Sequence, residues 1–270
     1  MVRKLRPIDR RGMHAKPKII EGGPFSGMVL KGVQKPLTKK QAEIAKRACE
    51  HYQRVLVKAG VPIVPAKTRI VGHGKTRRVY FIQGHLPTEK VLSNFFKKAS
   101  KSQCMSVIKQ LLSHVKKIME YNKTHKEKLA LDPNFENWVM VGNTPALIDF
   151  FPPRVKSRQH DRVVLYSAES RIFKLGHLLL WPLAVKRKYD PKKAVRVIIY
   201  DAIQLRPDLA EKILELGRAF VKENFSGRER SRLLKALSSK ETLKKRSFLG
   251  AIATTAELRK RRKLERKNRL

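Results

Sequence analysis

The chain has 270 residues, with 62 Lys and Arg against 22 Asp and Glu, for a net charge of +40. That surplus disfavours a plain neutral metabolic enzyme and points to an anionic partner: nucleic acid, a phosphorylated substrate or an anionic membrane. Hydrophobic residues make up 41%, enough for a core, so the chain is no free-standing disordered tail.

Cys49 and Cys104 stand alone, without a CxxC or Cys/His spacing. Neither a zinc site nor a disulfide framework is expected, and a reducing compartment fits. The basic N-terminus, Met1 to Pro7, lacks the apolar run of a signal peptide. The longest apolar stretch, Leu178 to Val185, has eight residues and includes Pro182, whereas a bilayer span needs about 20. No transmembrane segment is expected. The expected location is cytoplasmic, either free or peripheral to a membrane or ribonucleoprotein.

Residues 1–18 read as a basic arm carrying Pro7 and Pro17. Ile19 to Val33 reads as strand, glycine turn, strand. Thr38 and Gln41 form a capping box for a helix over 39–59, with Ile44, Ala48, Tyr52, Val55 and Leu56 as its apolar stripe and Gly60 as its stop. Two strands follow, Ile63 to Val71 and Arg78 to Gln83, across a turn at Gly72-His73-Gly74-Lys75. After a connector over 84–88 comes a short helix over 89–98. A central helix then runs over 101–122, with a continuous apolar stripe from Val107 to Met119. Leu129 to Val141 and Ala146 to Ile148 read as a hairpin around Gly142-Asn143-Thr144. Helices are expected over 171–186, 191–204, 207–224, 228–238 and 241–263. The order predicts an α+β fold, a sheet lobe followed by a helical lobe. The expected division is an arm over 1–18, a sheet lobe with one helix over 19–85, a helical lobe over 86–240 and a basic helix or tail over 241–270.

One segment carries chemistry. Asp132 and Asn137 stand in an Asp-x4-Asn arrangement, and Asp149-Phe150 comes further on, directly after two apolar residues. Phosphoryl transfer needs a carboxylate to orient and deprotonate a hydroxyl, plus an amide oxygen and a second carboxylate to hold Mg²⁺ on nucleotide phosphates. A short hairpin can bring all three together, because its far end returns to the loop before it.

On these residues the chain resembles the protein-kinase-like superfamily, nearest to the aminoglycoside and choline phosphotransferases. The order of elements, the turn Ala59 to Pro65 and the strand-and-hinge stretch Val79 to Pro87 are similar as well. The resemblance covers about residues 20–155 and implies a two-lobed kinase-like fold using ATP and Mg²⁺. It implies Asp132 as catalytic base and Asn137 and Asp149 as metal ligands. Lys31 would sit on the nucleotide phosphates, paired with Glu50 (Glu43 being the alternative). Gln83 and His85, with the residues between and beside them, would line the adenine pocket. Gly22, Gly23 and Gly27 would form the phosphate-covering turn. The chain departs from the family's pattern: Ala130 stands where the family has a histidine before the Asp, Phe151 stands where a glycine follows Asp-Phe, Gly22-Gly23-x-x-x-Gly27 is not a clean G-x-G-x-x-G, and no Ala-Pro-Glu segment appears.

Three functions follow as expectations. The first is an ATP- and Mg²⁺-dependent phosphotransferase whose unknown acceptor is anionic. The second is a catalytically degenerate kinase-like protein binding RNA or ribosomes, and the third a protein peripheral to anionic lipid. Residues 228–270, with 16 Lys/Arg and 4 Asp/Glu, are the basic contact for either macromolecular partner. Arg154, Lys156, Arg158 and Arg162 read as contacts for an anionic acceptor.

Overall fold

A five-stranded antiparallel sheet, in the order β1-β2-β3-β5-β4, forms from the first third of the chain. The computed structural model describes residues 4–7, 18–32, 36–72, 74–151, 153–156, 163 and 189–238. The helices expected over 171–186 and 241–263, most of the 1–18 arm, His73, Arg158, His160 and Arg162 lie outside the described residues. The chain forms two compact units, Met1–Ala210 and Glu211–Leu270.

The strands are β1 (Lys4–Pro7), β2 (Lys18–Glu21), β3 (Val29–Gly32), β4 (Ala66–Val71) and β5 (Arg78–Gln83). Within the stretch read as an arm, β1 pairs with β2 from Lys4↔Glu21 to Pro7↔Lys18. Its four residues carry no alternation long enough to mark a strand; the free edge of β2 supplies its hydrogen-bonding partners instead.

Helix α1 (Lys39–Lys58) starts on the expected capping box: Gln41 N donates to Thr38 Oγ1, and Thr38 N donates to Gln41 Oε1 at 3.0 Å. Such a cap contributes about 1 kcal/mol. Gly60, at φ +73°, ends the helix in the left-handed region that favours glycine. The small residues Ala42, Ala45, Ala48 and Cys49 let α1 lie close to the sheet, against Val79, Phe81 and Phe151. The register gives each sheet face its residues. Val29, Gln83 and Ala66 lie in one row on the α1 side, and Lys31, Phe81 and Thr68 in the next. The opposite face carries the rows Lys18–Leu30–Ile82–Lys67 and Gly32–Tyr80–Arg69.

The strand expected from Ile63 begins at Ala66. Residues 62–64 pair elsewhere: Leu147 N donates to Pro62 O and Val64 N to Leu147 O, both at 2.9 Å. Their hydrogen bonds are thus used on the second, two-stranded sheet, β6 (Trp138–Val141) and β7 (Thr144–Leu147). The 89–98 stretch divides into a 3₁₀ turn, Thr88–Lys90, and α2 (Leu92–Lys98). The central α3 (Lys101–Thr124) has a second capping box, Ser100 with Gln103, and buries Val107, Ile108, Leu111, Leu112, Val115 and Ile118. Helix α4 (Pro191–Leu205) is capped by Asp190, whose carboxylate accepts from Lys192 N at 3.0 Å.

In the second unit, α5 (Ala210–Asn224) and α6 (Gly227–Ser238) bury Ile213, Leu214, Val221, Leu233 and Leu237. Arg230 Nε donates to Phe225 O at 2.7 Å and so ties the turn between them. The fold is α+β. Among the described residues no helix is long and apolar enough to cross a membrane.

Candidate functional site

The β6–β7 hairpin organises the site. Its strands diverge into two flanks that pair again: Ala130 N donates to Arg154 O at 2.9 Å and Lys156 N to Lys128 O at 2.7 Å. Between the flanks and the hairpin, Ile148 N donates to Asn137 O at 2.9 Å. Asp132, Asn137 and Asp149 therefore belong to one hydrogen-bonded frame, the return geometry expected of a short hairpin. Trp138 locks the frame from inside, its Nε1 donating to Asp132 O at 2.7 Å.

Lys31 reaches this frame from the sheet. Its Nζ donates to Ile148 O at 3.1 Å across 117 residues of sequence, next to Asp149. Helix α1 reaches it twice. Tyr52 Oη donates to Ala130 O at 2.9 Å, and the Cys49 thiol approaches Phe150 O at 3.7 Å. Burial pushes the Cys49 thiol well above its ordinary range, and the Asp149 and Glu50 carboxylates add to this. Glu50 and Asp149 thus act on the same buried atom from two elements. Burial likewise raises the Tyr52 hydroxyl, opposed by the Arg154 charge.

Phe150 and Phe151 are 3% and 9% exposed and face the sheet unit. Phe150 meets Tyr52 edge-on at 6.4 Å between ring centroids, and Phe151 lies 5.8 Å from Phe81. Each buried ring contributes roughly 1.5–3 kcal/mol, so the segment after Asp149 is anchored in the α1–sheet core. This packing gives the second phenylalanine its place.

Both oxygens of the Asp132 carboxylate are engaged. Oδ1 accepts from Asn134 N at 3.3 Å and from Asn134 Nδ2, and Oδ2 pairs with Arg154. The pair is largely enclosed, Asp132 being 15% and Arg154 22% exposed in their side chains. Arg154, expected to meet an acceptor, is used here on Asp132. The sequence carries no signal for that pairing, since 22 residues separate the two and it depends on the 130–154 register.

A narrow cleft of about 10 Å³ opens beside Lys31, lined by Val29, Val64, Gln83, Gly84, Val139 and Ile148 among others. That is room for about one water molecule, far below the roughly 300 Å³ at which ligand pockets begin. Gln83 lines it, yet its side chain is committed to Val64 O at 3.0 Å. His85 is exposed and does not line the cleft. Gly22, Gly23 and Gly27 have φ of +88°, +73° and +77° and form the exposed turn between β2 and β3. Open space surrounds Gly22 and Gly27, so their conformation rather than any close approach calls for glycine. A second cavity of about 30 Å³ lies behind the Asp132 loop, against Val115, Ile118, Leu129, Leu131, Arg154 and Tyr189.

Among the described residues no three His, Cys, Asp or Glu side chains gather as a metal cage. An amide and a carboxylate, as in Asn137 and Asp149, suit Mg²⁺, which takes few protein ligands and completes its shell with water and phosphate oxygens.

No curated protein matches the sequence. The model of a family described as "Family of unknown function (DUF6206)" matches residues 2–249, and the chain belongs to that family.

Proposed function

We propose that the chain is a kinase-like phosphotransferase that takes the γ-phosphoryl of ATP to an acceptor hydroxyl. The observation that carries this reading is the Lys31 Nζ to Ile148 O hydrogen bond. It sets a lysine of the third strand beside the Asp149 segment, as phosphate binding in kinases requires. The Ile148–Asn137 backbone bond supports it further. In this reading Lys31 binds nucleotide phosphates and the cleft takes the base. Asn137 and Asp149 would hold Mg²⁺, which neutralises phosphate charge when bound. Asp132 accepts the acceptor's proton as the new P–O bond forms and the bond to the bridging oxygen breaks. The acceptor is anionic, on the strength of the +40 surplus.

A second reading rests on Arg154. With both Asp132 oxygens engaged, the protein would bind nucleotide in a two-lobed kinase-like cleft without transferring phosphate. Mg·ATP titration followed by thermal unfolding tests the shared premise. Ligand at 100 times its Kd adds about 2.7 kcal/mol, which raises Tm by about 5–10 °C for a chain of this size. Lys31→Met and Asp149→Asn should each lose most of that shift. An unchanged wild-type Tm in millimolar Mg·ATP removes both readings. A shift without ADP formation, over a panel of anionic acceptors, favours the second.

A further inference from the structure

The sheet face turned away from α1 has a composition that phosphotransfer does not use. Its outward positions on β2 to β5 are Lys18 and Ile20, Leu30 and Gly32, Arg78, Tyr80 and Ile82, and Lys67, Arg69 and Val71. Four are cations and none is an acid. Lys18, Lys67, Arg69 and Arg78 are all exposed, and none makes an ion pair with a described residue. Ile20 and Ile82, 2% and 5% exposed, form a closed apolar floor beneath them.

Tyr80 sits at the centre. A Cβ built on Gly32, its cross-strand partner, would stand 2.7 and 2.9 Å from Cε1 and Cδ1 of the Tyr80 ring. The ring therefore lies across the glycine, a position any larger residue would deny it. It is half-buried, with Arg69 paired on its other flank. A second aromatic, Phe25 of the β2–β3 turn, lies 5.6 Å from Lys67 Nζ. Same-face neighbours along a strand stand about 7 Å apart, so Lys67 and Arg69 make a cationic edge beside the ring.

We infer that this face binds single-stranded nucleic acid, with a base stacked on Tyr80 and the backbone phosphates along Lys67, Arg69 and Arg78. A ring laid on a sheet among cations without acidic partners offers what an unstacked base and its phosphates need, and it is tolerant of sequence. A duplex fits less well, because paired bases keep their faces stacked and closed to a ring such as Tyr80. An anionic bilayer fits less well too, because the aliphatic side chains at Ile20 and Ile82 are closed off. The inference stands independently of ATP binding.

A fluorescently labelled uridine dodecamer, followed by anisotropy over a salt series with the full chain, tests it. A net charge of +40 favours unspecific contact with any polyanion, so the diagnostic is the separation of stacking from counterion release. Tyr80→Ala should weaken binding roughly 5- to 150-fold at every salt, the worth of one stacked base, with the log–log salt slope unchanged. Tyr80→Phe should retain binding. Lys67→Gln with Arg69→Gln should flatten the slope by about 1.4, at about 0.7 for each phosphate of a single strand that is no longer neutralised. A folded Tyr80→Ala protein with wild-type affinity overturns the inference. If that variant fails to fold, an unchanged slope in the double variant overturns it. So does a double variant that loses binding only to phosphatidylglycerol vesicles and none to the dodecamer.

Discussion

His114 gives the sharpest test of the packing behind the candidate site. It lies on α3, 4% exposed, with its ring stacked on Trp138 at 5.6 Å and 8° between planes. Neither ring nitrogen has a hydrogen-bond partner. Burial first, and the Lys117 charge second, lower its pKa to about 4; the Pro145 backbone carbonyl opposes this from a position outside hydrogen-bonding geometry. The unfolded chain titrates His114 near 6.5. The folded state therefore binds fewer protons than the unfolded state between those values. Its stabilising effect is complete above about pH 6.5, declines as pH falls through the window and is gone below about 4. Linkage puts the whole loss at about 3 kcal/mol, of which roughly 2 kcal/mol falls between pH 7 and pH 5. His114→Phe keeps a stacked ring and removes the titrating group together with two unsatisfied nitrogens, each worth about 1–3 kcal/mol. Urea unfolding at pH 7 and pH 5, read by tryptophan fluorescence, compares the two proteins. The variant should be at least as stable at pH 7 and should lose about 2 kcal/mol less on acidification. Equal losses in both proteins would refute the reasoning, for the imidazole would then be solvated or paired.

Tyr52→Phe removes the only donor that the described residues offer to Ala130 O. It should cost about 1–3 kcal/mol in urea unfolding, the usual penalty for a buried carbonyl left unpaired. Arg154→Met takes the partner from a carboxylate that is mostly enclosed. A loss of about 1–3 kcal/mol is expected, between the values for surface and buried pairs, while the Mg·ATP affinity stays within about twofold. An affinity loss matching that of Asp149→Asn would show instead that Arg154 belongs to the nucleotide site.

Much of the local structure was legible because it rests on short-range rules. The Thr38–Gln41 box, the Gly60 stop, the α3 stripe and the β6–β7 turn depend on residues within a few positions of each other. The places that differ depend on partners far away in sequence. Strand β1 exists because β2 has a free edge, and residues 62–64 leave β4 because β7 offers hydrogen bonds. The return of the hairpin to the loop before it was readable by spacing. The Arg154–Asp132 pair was not, since each of 62 cations was an equal candidate in the sequence and only the 128–130 to 154–156 pairing selects one.

Helix α1 makes one consequence of this arrangement concrete. Tyr52 holds the flank before Asp132, Cys49 meets the flank after Asp149, and His51 pairs with Glu127 at 2.8 Å. Three side chains within four residues of one helix thus touch both flanks of the hairpin. The same helix covers the sheet whose third strand carries Lys31. A close-packed helix moves as a unit, because its small-residue face leaves no slack against Val79 and Phe81. Any displacement of α1 relative to the hairpin therefore changes the Ala130 and Phe150 contacts together. The cleft beside Lys31 is far narrower than a nucleotide needs, so under the proposed function nucleotide entry would either move α1 with the sheet, breaking those contacts, or move the Gln83–Leu86 connector alone. Tyr52→Phe separates the two routes. It should ease ATP entry under the first and leave the ATP on-rate unchanged under the second.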